Sequence, residues 1–340
     1  MKRVKPEKVK APKPPKPLKP LCKFVLKVAY LGMSYQGFEH HPHQGENSVE
    51  AKLFGALTYV RLIGSPDEIK ELDYARCGRT DKGVSAAGNT VSLNLRVSDA
   101  EVPNLVKRIN SALPDDIVVL SAVEVPQSFS AQFSCKTREY RYYFFESDLD
   151  LERMESACRL LEGEHDFRNF CKWNEKYEKC GTVRNIFTCR IVKDSRIFCE
   201  TVSRNSMKMA YMQCIGSGFL WHQIRLIMNV LKAVARGEVE PEIVSSMLAD
   251  PRKEAFEFTN SMQDGESLVL YDTTFENLNW KLCEETDPEK ILSAMLHRKL
   301  MELKVASSLM EYYSDRISKR EVEPKEPFVH KFFNARTKKN

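Results

Sequence analysis

In FVLKVAYLG (24–32) apolar residues alternate with others, and the β-branched and aromatic side chains at that spacing of two predict a strand. The period then changes. Across NSVEAKLFGALTYVRLI (47–63), Val49, Leu53, Ala56, Leu57 and Val60 recur at helical spacing behind Asn47 or Ser48 as a cap. TVSLNL (90–95) reads as a strand, VPNLVKRINSAL (102–113) as a helix and DIVVLSAVEV (116–125) as a strand. With a further strand just before the glycine-containing stretch at 78–88, the order is β-α-β-β-α-β, which is ferredoxin-like.

A second series resembles the first. TREYRYYFF (137–145) predicts a strand, LERMESACRLLEG (151–163) a helix, and IFTCRIV, RIFCETV and MKMAYMQCI within 186–215 antiparallel strands. FLWHQIRLIMNVLKAVARG (219–237) predicts a helix with Ile224, Ile227, Met228, Leu231 and Val234 on one stripe and Gly237 as its stop, and SLVLYDTTF (267–275) a closing strand. The expected fold is therefore α+β. Two ferredoxin-like (RRM-like) halves would form a continuous antiparallel sheet, with helices on one face and a cleft between the halves. The boundaries drawn are a basic, disordered Lys/Pro-rich tail (1–22), an N-terminal α+β domain (23–132), a C-terminal α+β domain (133–280) and a helical, partly basic extension (281–340).

Charge adds to this outline. Residues 1–20 hold seven lysines, one arginine, one glutamate and six prolines, a net of +7 against −2 for the remaining 320 residues. A nucleic-acid surface on the folded body would have to be a local patch, while the tail would add sequence-independent attraction for phosphate or serve as a solvated or targeting segment. The ten cysteines stand singly with no C-x-x-C pair, which predicts reduced thiols in an intracellular protein and no disulfide framework. No apolar run is long enough to span a bilayer, and no dinucleotide or P-loop glycine pattern is present, so neither a membrane nor a nucleotide cofactor is expected. EHHPH (39–43) places three histidines within four positions, but an exposed loop is expected there and no metal.

The stretch YARCGRTDKGVSAAGN (74–89) carries the candidate chemistry. Gly78, Gly83 and Gly88 let the backbone bend or approach a ligand. Asp81 is the single carboxylate among the cations Arg76, Arg79 and Lys82, and the charge of Arg79 and Lys82 on either side of it is expected to keep it ionised. Such a carboxylate can serve as nucleophile, as base, or as partner to a developing cation; a tight turn with a structural salt bridge is the competing reading.

RCGRTDKGVSAAG resembles the signature of the tRNA pseudouridine synthase A (TruA) family. The resemblance runs through YLGMSYQGF (30–38), EYRYYFF, HDFRNFC (165–171), TVRNI (182–186), FLWHQIR (219–225) and SLVLYDTTF, covering roughly residues 24–280. It implies an isomerase that breaks the C1′–N1 bond of uridine, turns the uracil and rejoins it through C5, needing neither metal nor cofactor. Asp81 would be the catalytic residue. Arg79, with Arg76 and Lys82 beside it, would hold the extruded nucleotide and its phosphates. Tyr140 would stack on the base, Arg225 would pair with Asp81, Leu268 would pack against the uracil, and His222 is a further candidate for substrate binding. The details lie nearest the eukaryotic branch acting at positions 38/39 of the tRNA anticodon stem-loop. The sister branch, with other tRNA, small nuclear RNA or messenger RNA targets, and a non-catalytic RNA-binding protein are the alternatives. The resemblance also implies a homodimer and a nuclear or cytoplasmic location.

Overall fold

A computed structural model describes residues 20–41, 47–146, 149–199, 207–249 and 262–280. The Lys/Pro tail, His43 of the histidine cluster and the segment after residue 280 lie outside them.

The strands are β1 (Leu21–Tyr30), β2 (Ala75–Arg76), β3 (Ser85–Arg96), β4 (Ile117–Glu124), β5 (Cys135–Phe145), β6 (Gly163–Asp166), β7 (Val183–Cys199), β8 (Met207–Gly216) and β9 (Leu268–Phe275). They form one sheet in the order β4-β1-β3-β9-β5-β8-β7-β6, with β2 paired to β3. The helices are α1 (Val49–Tyr59), α2 (Leu105–Asn110), α3 (Leu151–Arg159), α4 (Tyr177–Cys180), α5 (Gln223–Ala235) and α6 (Ile243–Ala249). Local chemistry explains their starts: the Ser48 hydroxyl accepts from the Ala51 N–H, and the Asp150 carboxylate accepts from Glu152 and Arg153, so each helix satisfies amides that would otherwise be orphaned.

The period of two in β1 divides its residues. Phe24, Leu26, Val28 and Tyr30 enter a core shared with Leu53 and Leu57 of α1 and Ile109 of α2, and also with Tyr142 of β5 and Ile227 and Leu231 of α5. Full burial of each such side chain stabilises by about 1.5–3 kcal/mol. One apolar body thus runs beneath both parts of the sheet.

Three expectations are corrected. The sheet is mixed, because β3 pairs with β9 in parallel through Ser85↔Val269 and Ala86↔Leu270, whereas β1·β3, β1·β4, β5·β8, β5·β9 and β7·β8 are antiparallel. Parallel strands begin at the same end of a sheet, so the loops leading into β3 and β9 lie side by side. Below the short parallel register the seam is held by Lys27 Nζ to Asp272 Oδ1 (2.8 Å), Thr90 to Thr273 hydroxyls (2.8 Å) and the Thr273 hydroxyl to Gly88 O (3.0 Å). Second, IFTCRIV and RIFC are parts of one strand, β7, whose register with β8 shifts between Asp194 and Phe198. Third, α5 begins at Gln223; residues 219–222 turn into it, with His222 in the left-handed region at φ 65°.

Candidate active site

The Asp81 loop is fixed from both sides. The buried Asn89 side chain of β3 donates to Gly78 O (2.9 Å) and accepts from Gly78 N (3.3 Å), and the Tyr30 and Thr80 hydroxyls lie 2.8 Å apart. Phe38 N donates to Thr80 O at 3.0 Å, Gly83 N to Tyr35 O at 3.3 Å, and Val84 N to Asp81 O at 3.1 Å. Gly83 has φ +81°, a conformation that residues with a Cβ seldom adopt. The loop before β9 then closes against it so tightly that a Cβ on Gly265 would lie 2.4 Å from Lys82 O.

From across this seam α5 and the turn that leads into it supply the partners of the carboxylate. Arg225 Nη1 lies 3.3 Å from Asp81 Oδ2, and His222 Nε2 lies 3.4 Å from the same oxygen. Asp81 keeps 26% of its side chain exposed against 11% for Arg225, so the cation is sheltered while the carboxylate remains reachable. The Arg225 guanidinium is aimed by a second bond, Nε to Gln263 O at 2.7 Å. Gln263 is in turn gripped by Lys232 Nζ (2.7 Å to Oε1) and donates to Asn229 Oδ1 (2.7 Å). Burial, together with the charges of Arg225 and Lys172, pushes the His222 imidazole below its usual range, against the opposing pull of Asp81. A lowered value leaves the ring neutral at pH 7, so Arg225 is the charged partner of the two.

The pairing of Arg225 with Asp81 is as the resemblance implied, whereas the cations next to Asp81 in the chain are turned elsewhere. Arg79 is 61% exposed and reaches Glu39 at 3.5 Å, and Lys82 is exposed. Arg76 Nη1 sits 2.6 and 2.7 Å from the two oxygens of Glu50, and its Nη2 sits 2.6 Å from Glu39. The close cation is Arg225, 144 residues away. Side chains of adjacent residues in an extended loop diverge, so sequence neighbours are poor candidates for contact.

Tyr140 lines the same region. Its ring meets Phe219 edge-on at 5.2 Å, and a Cβ on Gly78 would stand 3.7 Å from its hydroxyl. Burial raises the phenol above its ordinary range, with Arg138 opposing, so the hydroxyl stays protonated. Tyr142 and Phe144, on the same face of β5, are buried in the core, as is Leu268 at the start of β9. Leu268 is 5% exposed, so it offers little surface to any ligand in this state. The site therefore brings Asp81, Arg225 and His222 together with Tyr140 nearby, and it holds Arg76 and Arg79 on carboxylates.

Two contributors escaped the sequence reading. Arg138 donates to Cys77 O (3.2 Å), Gln132 O (3.1 Å) and Ser217 O (2.5 Å), tying the Asp81 loop to the turn before α5. An arginine on the aromatic face of β5, in step with Tyr140 and Tyr142, was the available signal. Gln263 gave none, since its role is to offer a backbone carbonyl.

Comparison with known proteins finds relatives of the chain among tRNA pseudouridine synthases. A family described as tRNA pseudouridine synthase matches residues 157–276. A mouse protein named tRNA pseudouridine(38/39) synthase is 38% identical over 276 residues, which is 75% of this chain and 56% of the mouse protein. A Saccharomyces cerevisiae protein of the same name is 32% identical over 80% of this chain and 62% of its own length. A Methanosarcina acetivorans protein named tRNA pseudouridine synthase A is 30% identical over 85% of this chain and 97% of its own length. The chain thus spans just over half the length of its mammalian relatives.

Proposed function

This chain belongs to the tRNA pseudouridine synthase A family, and from that premise we propose that it isomerises uridine to pseudouridine in the tRNA anticodon stem-loop, at positions 38/39. The observation that carries the reading is the meeting of Asp81 with Arg225 and His222 across the seam of the sheet. An accessible carboxylate is held against a sheltered arginine, and the Tyr140 and Phe219 rings meet edge-on in the same region.

The target base leaves its stack, since neither N1 nor C1′ can be reached within a helix. Tyr140 lies beside it. Arg79 and Lys82, exposed at the loop, hold the RNA backbone. Arg225 holds Asp81 oriented through the first bond-breaking step, in which C1′–N1 cleaves. The uracil then turns, C1′ bonds to C5, and the C5 proton passes to solvent. Attack of Asp81 at C1′, its attack on the ring, and its removal of the C2′ proton to give a glycal all start from the same ionised carboxylate. All three close the same balance without redox change.

The strand connections β1-α1-β2-β3-α2-β4 and β5-α3-β7-β8-α5-β9, with spatial orders 4-1-3-2 in each, support reading residues 23–132 and 133–280 as two ferredoxin-like halves, with β6 added at the edge. The reading carries with it a homodimer straddled by tRNA and a location in nucleus or cytoplasm. Sedimentation with and without tRNA tests the first.

The function is tested by tritium release from tRNA transcripts labelled at uridine C5. The wild type should release tritium, while Asp81→Ala should release none and bind RNA with unchanged affinity. Turnover by Asp81→Ala would sink the role of the carboxylate, and no release from any tRNA by the wild type would sink the reaction.

A further inference from the structure

Immediately outside the Asp81 site lies an aromatic and basic ledge that the proposed chemistry leaves unused. Trp221, 41% exposed, precedes the left-handed His222, and their rings are 4.6 Å apart. The Trp221 backbone is fixed on both sides: its N–H donates to the Tyr177 hydroxyl at 2.7 Å and its carbonyl accepts from Lys172 N at 3.0 Å. The Lys172 ammonium stands 4.7 Å from the Trp221 ring centre. Beyond it, Trp173 is 48% exposed, packs edge-on against Tyr177 at 6.0 Å, and has the Arg168 guanidinium 5.7 Å from its ring centre. Two indoles, each paired with a cation, thus form a surface continuous with His222.

We propose that this ledge binds the RNA nucleotide adjoining the target uridine, with its base stacked on Trp221 and its phosphate taken by Lys172. The proposal rests on the RNA-modifying reading of the Asp81 site. Large exposed indoles are costly in water unless something covers them, and a surface that alternates aromatic rings with cations matches the alternation of base and phosphate along a single strand. The rigid backbone bonds at Trp221 mean that little conformational freedom is lost on stacking. Lys172 covers the ring with a weak, solvent-exposed cation–π contact and has a long flexible stem. An incoming base can therefore displace the ammonium from the ring while the same charge swings to the adjoining phosphate. Extruding the uridine unstacks its neighbour as well, and a ledge next to His222 receives that neighbour where it is released.

The test uses a fluorescein-labelled anticodon stem-loop RNA and the full chain. Trp221→Ala should weaken binding about tenfold or more by fluorescence anisotropy, and Trp221→Phe should recover most of the loss. Lys172→Met should lower the slope of log K against log salt by roughly one counterion. The chain has three tryptophans, so the Trp173→Phe/Trp280→Phe protein reports on Trp221 alone. Its emission should be quenched on saturation with the stem-loop, and this readout holds even where Trp221→Ala folds poorly. An unquenched Trp221 at saturation, or stem-loop affinity unchanged in Trp221→Ala, overturns the proposal and leaves the ledge to a protein partner. Failure of the isomerase reading looks different: Trp221 is quenched but no tritium leaves C5.

Discussion

Replacing Arg76 by methionine should destabilise the fold by about 3 kcal/mol, and the size follows from what remains around Glu50. Glu50 stands in the first turn of α1 with 2% of its side chain exposed, and Arg76 meets both of its oxygens at 2.6–2.7 Å. Removing one member of such a pair commonly costs about 3–5 kcal/mol, because a charge stays buried without its counter-ion. Here the Tyr74 hydroxyl (2.5 Å) and the His40 N–H (2.8 Å) still donate to the carboxylate, which keeps the loss at the low end, and methionine preserves most of the packing of the arginine stem. In a chain of this size about 3 kcal/mol corresponds to a fall in Tm of roughly 5–10 °C. Glu50→Gln should cost less, since Arg76 keeps Glu39 at 2.6 Å. The double variant should be more stable than additivity predicts by at least about 1.5 kcal/mol, because no unpaired charge is left. Urea melts of the four proteins measure all of this. A loss below about 1 kcal/mol in Arg76→Met, or strict additivity, would refute the argument. A normal melt with weakened RNA binding would show that the guanidinium leaves Glu50 for the substrate.

Other expectations concern the loop and its partners. His222 titrates below its unfolded value, so protons bind the unfolded chain more readily; the associated stability is intact above about pH 6.5 and is lost as pH falls from there through the lower folded value. Asparagine tolerates the left-handed backbone and does not titrate, so the Tm advantage of wild type over His222→Asn should shrink between pH 7.5 and 5; a constant difference would contradict the shift. Gly265→Ala places a Cβ 2.4 Å from Lys82 O and should lower kcat more than about tenfold by displacing Asp81, whereas Gly218→Ala, with open space at its Cβ, should be silent. Equal turnover in the two variants would mean the loop yields without consequence. Gly55→Ala, within α1 and unobstructed, should stabilise by about 0.5–1 kcal/mol; a lower Tm would point to an unseen contact at that face.

Periodicity alone carried much of the secondary structure. The period of two in 24–30 and the 3.6-residue period in 49–59 are each set by residues close together in the chain, and Ser48 caps its own helix, so these elements needed no distant information. The loop around Asp81 was visible for the same reason, since the three glycines and the single acid lie together in the chain. Pairing between elements was a different matter. The parallel register of β3 with β9 joins residues more than 180 apart, and no local pattern states the direction in which two edges meet. The counter-ion of Asp81 followed from that seam. Local reading favoured Arg79 and Lys82, and only the family resemblance pointed to Arg225; folding turned Arg76 and Arg79 onto Glu39 and Glu50 and brought Arg225 to the carboxylate. A lone sequence can disclose which chemical groups are present and how each segment bends. Which charge meets which is decided when the hydrophobic faces of both halves are buried together, because a Coulombic partner is chosen by distance in space.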